Sequence, residues 1–252
     1  MSDMKSMILI AVAAVMLLAS VGSVSAVNLV SNGGFEKPLV TSVDKWDIFA
    51  DGSTDLVWDV QWAFPPPVSP TGRPDLANAE FQLSGIVLAG EPITAFEGSQ
   101  YAELDTDWNG HVGTLDNEPA NVVMSQDIAT AAGKHYTISW EQRRRGDDGH
   151  NPSTLAFSWN GDGPLVTNGT TGGWTKYSTE RIASGASTTI SFTGTSTPDA
   201  AGDSYGALID DIIVEQVPDE VPIPEFPTVA LPAALIVGLL GAVLFIQKSK
   251  EE

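Results

Sequence analysis

The sequence predicts an all-β protein: an antiparallel β-sandwich flanked by two targeting segments. Three observations carry this expectation. Short stretches of the middle region alternate apolar and polar residues with period two. Clusters of Gly, Ser, Thr, Asn and Asp separate them, and helical faces of period 3.6 are nearly absent. Long apolar runs stand near each end of the chain.

The first segment has the form of a signal peptide over residues 1–26. Lys5 supplies a positive start, Met7 to Leu18 an apolar stretch short for a membrane span, and Val24-Ser25-Ala26 the small residues of a cleavage site. Cleavage after Ala26 leaves a chain that begins at Val27. Residues 27–217 then form the β domain, about the size of one large domain, with enough chain for a core without staples.

Within that domain the stretch from Ala63 to Pro74 carries five prolines and Gly72, which excludes a central strand. Tyr101 to Asp105, Val122 to Ile128 and Ala156 to Trp159 read as strands. Tyr136 to Gln142 alternates strictly, so Tyr136, Ile138, Trp140 and Gln142 share one face. In Thr188 to Thr193, Ile190 and Phe192 point inward. Asn160-Gly161 and Asp162-Gly163 are turn dipeptides directly after a strand.

The carboxyl-terminal segment begins with a Pro-rich linker, 218–228. The uncharged apolar block 229–246 follows, long enough for a helix of about 27 Å, close to the thickness of a bilayer's hydrocarbon core. Lys248 and Lys250 come next. By the positive-inside rule they hold 247–252 in the cytoplasm, which leaves the β domain outside.

Composition narrows the function classes. The formal charge is −20, which repels nucleic acid, suits a salt-exposed surface and attracts divalent cations. The absence of cysteine excludes disulfides, thiolate metal sites and a cysteine nucleophile. The three histidines, His111, His135 and His150, lack metal-ligand spacing. No Gly-rich phosphate loop and no G-x-S-x-G elbow occur.

Several constellations are able to carry chemistry. Glu103, Asp105 and Asp107 lie at period two, which places three carboxylates on one face of a strand. They are candidate contacts for a cation or for sugar hydroxyls, or a solvated face. Arg143-Arg144-Arg145 is the basic run, suited to pairing with acidic faces or to bidentate bonds with a ligand. Of seven tryptophans, Trp140 faces the core and Trp46 packs in the first sheet. Trp58, Trp62, Trp108 and Trp174 sit in polar, loop-like sequence, where an indole is able to stack on a pyranose. Trp108, beside Asp105, Asp107, Asn109 and His111, is the favoured ligand contact. Asn168-Gly169-Thr170 is a glycosylation sequon.

Two resemblances extend this reading. Pro224-Glu225-Phe226, the apolar helix and the short lysine-containing end resemble the PEF-CTERM sorting tail of surface proteins from methanogenic archaea. That resemblance implies processing by an archaeosortase near Pro224 to Phe226 and anchoring at the membrane. Asn32-Gly-Gly-Phe-Glu36, Tyr101-Ala-Glu-Leu-Asp, Ser125-Gln126-Asp-Ile, Ala132-Gly-Lys-His-Tyr-Thr-Ile-Ser-Trp and Ala207-Leu-Ile-Asp-Asp-Ile occur in one order. That series resembles the galactose-binding-domain-like jelly rolls, among them carbohydrate-binding modules. It implies a structural calcium ion held by Glu36 with Asp210 or Asp211, and an arginine at the position of Arg145. Glu-Leu-Asp-Thr-Asp also resembles the signature of laminarinase-type glycosidases, although Asp107 stands where that pattern has Glu.

The expected function is therefore non-catalytic binding at the cell surface, with envelope or extracellular glycans as ligand class and Trp108, Glu103, Asp105, Asp107 and Arg145 as contacts. Calcium is the expected cofactor. A structural or adhesion component of the envelope is the alternative. A glycoside hydrolase using Glu103 with Asp105 or Asp107 is a further one.

Overall fold

A computed structural model describes residues 27–63, 74–88, 91–107, 120–145, 153–170, 172–195 and 206–219, with Gly238, Ile246 and Ser249 in the tail. The chain divides into two compact units, Met1–Val217 and Pro218–Glu252. Residues 1–26 and 64–73, Trp108, His111, His150, Pro224-Glu225-Phe226 and nearly all of 229–252 lie outside the described residues. Among the described residues no helix is long and apolar enough to cross a membrane.

The described strands of the first unit follow in chain order. They begin with β1 (Trp46–Ala50), β2 (Asp59–Trp62), β3 (Asn78–Leu83), β4 (Ile86–Leu88) and β5 (Glu91–Ile93). Next come β6 (Gln100–Glu103), β7 (Asp105–Thr106), β8 (Ala120–Ala129), β9 (His135–Arg144) and β10 (Thr154–Trp159). The last are β11 (Leu165–Asn168), β12 (Thr175–Ile182), β13 (Ser187–Gly194) and β14 (Ala207–Gln216).

The strands form two facing sheets and a hairpin. The first sheet runs β1-β3-β6-β14-β9-β12, the second β11-β10-β13-β8-β2 with β7 joined to β8, and β4-β5 is the hairpin. All strand pairs are antiparallel, as the alternating pattern requires. Non-sequential neighbours such as β6 and β14 mark the crossed connections of a jelly roll.

The core lies between the sheets. Tyr136, Ile138, Trp140 and Gln142 of β9 are all buried on one face, and Ile190 and Phe192 of β13 oppose them. Trp140 stacks on Phe157 at 5.3 Å and meets Phe192 edge-on at 5.5 Å. Each fully buried aromatic of this kind contributes about 2 to 3 kcal/mol of transfer free energy. Trp58, one of the indoles in loop-like sequence, is a core residue and not a stacking platform: it stands directly before β2 of the second sheet and is buried, 5.7 Å from Phe35.

The turn after β10 follows its sequence. Asn160 and Gly161 both take positive φ, 53° and 76°, the combination that an Asn-Gly hairpin turn needs. The first residues of the domain tie down β14. Asn28 accepts the Val214 N–H at 2.9 Å and donates to the Ile212 carbonyl at 3.1 Å.

Candidate functional site

One face of the first sheet packs in the core; the other is the candidate site. Alternation along β3 turns Ala79 and Phe81 inward and Glu80 and Gln82 outward. On β6, Ala102 goes to the core while Tyr101 and Glu103 go to the outer face. On β14, Ile209 is in the core and Leu208 and Asp210 are outside it. The register sets Glu80 and Leu208 on either side of Glu103, and Leu208 opposite Arg143 of β9.

At one end of this face is a buried polar network. Gln82 Nε2 donates to Glu80 Oε1 at 2.7 Å and to Glu103 Oε2. Arg145 Nη1 reaches both oxygens of Glu103, at 3.0 and 3.1 Å, and the Gly206 N–H donates to Glu103 Oε1 at 2.8 Å. The Asp107 N–H donates to Glu80 Oε2 at 3.1 Å. A Cβ on Gly206 would stand 2.6 Å from both the Asp105 nitrogen and its Cβ, and 2.9 Å from Glu103 Cγ. Only glycine lets the backbone come close enough to cap this carboxylate.

Burial dominates the electrostatics of the network. It pushes Glu80 up to about 8, helped by the negative charges of Glu103 and Asp107 and opposed by Arg145 and Gln82. Asp105 is raised well above the usual carboxylate range by burial, then by Glu103 and Glu80. Glu103 is also raised by burial, with Arg145 the main force against it. For Arg145 burial acts downward, but Glu103 and Glu80 outweigh it, and its pKa rises. The arrangement is one guanidinium bound to Glu103, with Glu80 favouring its protonated form near neutrality and Asp105 shifted in the same direction.

The other end of the face is aromatic. Tyr101 is fully buried, and Trp174 meets it edge-on at 5.6 Å. Ile86 of β4 and Ile93 of β5 complete this second apolar cluster with Leu208, and half-buried Trp46 packs against it. Trp174 is half-buried, its Nε1 held by the Thr94 carbonyl at 2.8 Å.

Glu36 and Asp210 both bind the segment between β5 and β6. Asp210 Oδ2 accepts the N–H groups of Phe96 and Glu97 at 2.8 and 3.0 Å, and its Oδ1 accepts that of Asp211 at 2.8 Å. Glu36 Oε1 accepts the N–H groups of Ser99 and Gln100 at 2.7 and 2.9 Å. The two carboxylates thus grip the turn between β5 and β6 from its two ends. Glu97 Oε2 lies against Gly34, and Glu36 Oε1 against Gly98. Burial pushes Asp210 up to about 7 against its three backbone bonds, and Glu97 adds to the rise. Among the described residues no group of three or more acids, histidines or cysteines is spaced to hold a metal.

The structure brings some of the predicted residues together and separates others. Glu103, Asp105, Asp107 and Arg145 share one network, but the three acids do not lie along a single strand. The chain leaves the first sheet after Glu103 and crosses to the second, where Asp105 opposite Asn121 begins β7. Asp211 departs from strict alternation with Asp210. It occupies a β-bulge with φ of 47°: between the pairs Asp210–Glu141 and Ile213–Ser139, Asp211 and Ile212 of β14 stand opposite Trp140 alone of β9. Asn168 is exposed on the edge strand β11. Glu80, Gln82 and Gly206 were not singled out from sequence. The alternation in Asn78 to Leu83 marks a strand, but nothing local pairs it with Glu103.

Residues 223–241 match the PEF-CTERM archaeal protein sorting domain. No curated protein matches the chain. Among solved structures it is similar to the Stig cyclase Fisc from Fischerella sp. TAU, solved in complex with (3Z)-3-(1-methyl-2-pyrrolidinylidene)-3H-indole. The identity is 18% over 78% of this chain and 100% of that one, with a TM-score of 0.51. At lower TM-scores it is similar to TmCBM61 in complex with beta-1,4-galactotriose (16% identity, 76% of this chain and 100% of that one, 0.38). A further neighbour is the CBM22-1 xylan-binding domain of Paenibacillus barcinonensis Xyn10C (14% identity, 77% and 97%, 0.37). The chain thus joins an antiparallel β-sandwich of jelly-roll type to a tail that carries the PEF-CTERM archaeal sorting domain.

Proposed function

We propose that this protein is exported, anchored at the cell surface through its sorting tail, and binds carbohydrate without catalysis on the outer face of the first sheet. The observation that carries the proposal is the meeting, on one face, of a carboxylate–amide–guanidinium network with the Tyr101 and Trp174 rings. Sugar recognition needs apolar surface for the pyranose face beside polar groups of fixed direction for its hydroxyls. Trp108 follows Asp107 directly in the sequence and is the proposed stacking platform. In this reading residues 1–26 direct export, an archaeosortase processes the chain near Pro224 to Phe226, and exposed Asn168 is an acceptor for glycan.

Glu103 is assigned to holding the network, not to hydrolysis. Its carboxylate already accepts from Arg145, Gln82 and Gly206, which leaves it poorly placed as a nucleophile toward a sugar. The test is a glycan array followed by calorimetry on the full chain with calcium present. Saturable binding to a glycan without turnover is expected. No binding to any glycan would overturn the proposal in favour of a structural envelope component.

Calcium belongs to the proposal through Glu36 and Asp210, with peptide carbonyls completing an oxygen shell. Glu97 and Asp210 both approach Gly34, Glu97 adds to the rise at Asp210, and like charges so placed favour a cation. The ion would pin the amino-terminal segment to β14. Calcium should raise the thermal midpoint of the full chain and chelator should reverse the rise. An unchanged midpoint would leave the backbone amides as the only counter-charge of these carboxylates.

A further inference from the structure

We infer that the polar network is built to receive a protonated amine, so that the glycan it selects is an amino sugar and not a neutral, acetylated or acidic one; this rests on the carbohydrate reading of the same face. Both hydrogens of Gln82 Nε2 are spent on Glu80 and Glu103, and among the described residues Gln82 Oε1 has no hydrogen-bond partner. Among the described residues Asp105 Oδ1 and Asp107 Oδ1 are likewise without a hydrogen-bond partner, as are the Thr106 and Tyr101 hydroxyls, each of which carries a donor as well as an acceptor. Gln82, Asp105, Thr106 and Tyr101 are each no more than 1% exposed. Buried polar atoms are satisfied in folded proteins, so the unmet oxygens of Gln82, Asp105 and Asp107 mark the place of an incoming donor.

Charge says which donor. Glu80, Glu103, Asp105 and Asp107 converge on this end of the face, and the guanidinium that lies on Glu103 is that of Arg145. Arg143 of β9 and the Tyr101 hydroxyl are the other ionisable groups turned this way. An ammonium brings three donors, no acceptor and a positive charge. A sugar hydroxyl brings an acceptor with every donor, and a uronate brings another negative charge into an acidic, low-dielectric place. A metal ion would need several acid oxygens gathered at about 2.4 Å, and among the described residues no such group occurs. An ammonium works at hydrogen-bond distances of about 2.8 Å, which suits a looser set of acceptors.

Proton linkage gives the inference its own signature. Before the amine binds, Glu80, pushed up to about 8 by burial, holds its proton at neutral pH, and burial shifts Asp105 in the same direction. A cation among them favours the ionised forms, so binding expels protons, and affinity rises with pH until the amine itself loses its proton.

The experiment is calorimetry on the full chain with four probes: a glucosamine oligosaccharide, its N-acetylated counterpart, a neutral glucose oligosaccharide and a galacturonic acid oligosaccharide. Each titration is run in two buffers of different ionisation heat. The amine is expected to bind at least about tenfold tighter than its acetylated counterpart, with net proton release. Glu80→Gln is expected to reduce that release while its thermal melt stays cooperative. The comparison of free with acetylated amine needs no variant, so a misfolded Glu80→Gln chain does not remove the test. Equal affinity for the acetylated or neutral probe, or amine binding without proton release, would overturn the amine assignment and leave the carbohydrate reading standing. Failure of all four probes, together with an empty glycan array, would overturn both.

Discussion

Glu103 shows how one residue holds the outer face together. Its carboxylate accepts from β3 through Gln82, from the end of β9 through Arg145 and from the start of β14 through Gly206. Glu103→Gln keeps the shape but removes the counter-charge of a largely buried guanidinium. It should cost about 2 to 3 kcal/mol of stability, read as a lower denaturant midpoint at unchanged slope. Glu80 and Asp210 act in the opposite sense. Their folded pKa values, about 8 and about 7, lie above their ordinary 4.5 and 3.8. The folded state therefore holds protons that the unfolded chain has lost, and the stability these groups supply is complete at low pH and disappears as pH rises through the folded values. With chelator present to keep Asp210 free of cation, the thermal midpoint should be higher near pH 5 than near pH 8. Glu80→Gln should flatten part of that slope; a midpoint that falls on acidification would contradict this assignment.

At the scale of elements, two irregularities place the site. The first is the exit of the chain from β6 into β7, which carries Asp105 to the second sheet while Glu103 stays on the first. A continuous strand would have spread Glu103, Asp105 and Asp107 along one face; the crossing gathers them around Glu80 and Arg145 instead. The second is the bulge at Asp211. It lets Ile212 and Val214 reach the core while Asp210 stays outside it, where alternation without an extra residue would have turned Ile212 outward. Asp tolerates the left-handed conformation that Asp211 adopts, and a β-branched residue does not. Asp211→Val should therefore cost about 1 to 2 kcal/mol, and Asp211→Gly should be nearly neutral. Equal denaturant midpoints for the two variants would show that the bulge stores no such preference.

At the scale of the whole molecule, the sorting tail and the β domain are separate units with separate tasks. A chain truncated after Val217 should appear in the medium, while the full chain stays with the cell envelope; fractionation and blotting distinguish the two. Retention of the truncated chain would mean that the domain is held at the envelope without the tail. The sequence by itself determined the fold class and the sorting motif, because both are local. Period-two alternation buries one face of each strand whatever its neighbours are, as Tyr136 to Gln142 and Ile190 with Phe192 illustrate. Pro224-Glu225-Phe226 is likewise a linear motif whose residues are neighbours in the chain. The acidic residues Glu103, Asp105 and Asp107 and the basic Arg145 were also legible, as types and spacings. Only the tertiary structure decided their use. Register between strands far apart in sequence, β3 with β6 and β6 with β14, brought Glu80, Gln82 and Gly206 to Glu103. Burial then shifted the carboxylates toward their protonated forms. Pairing partners and desolvation are long-range properties of the folded chain, and no local pattern encodes them.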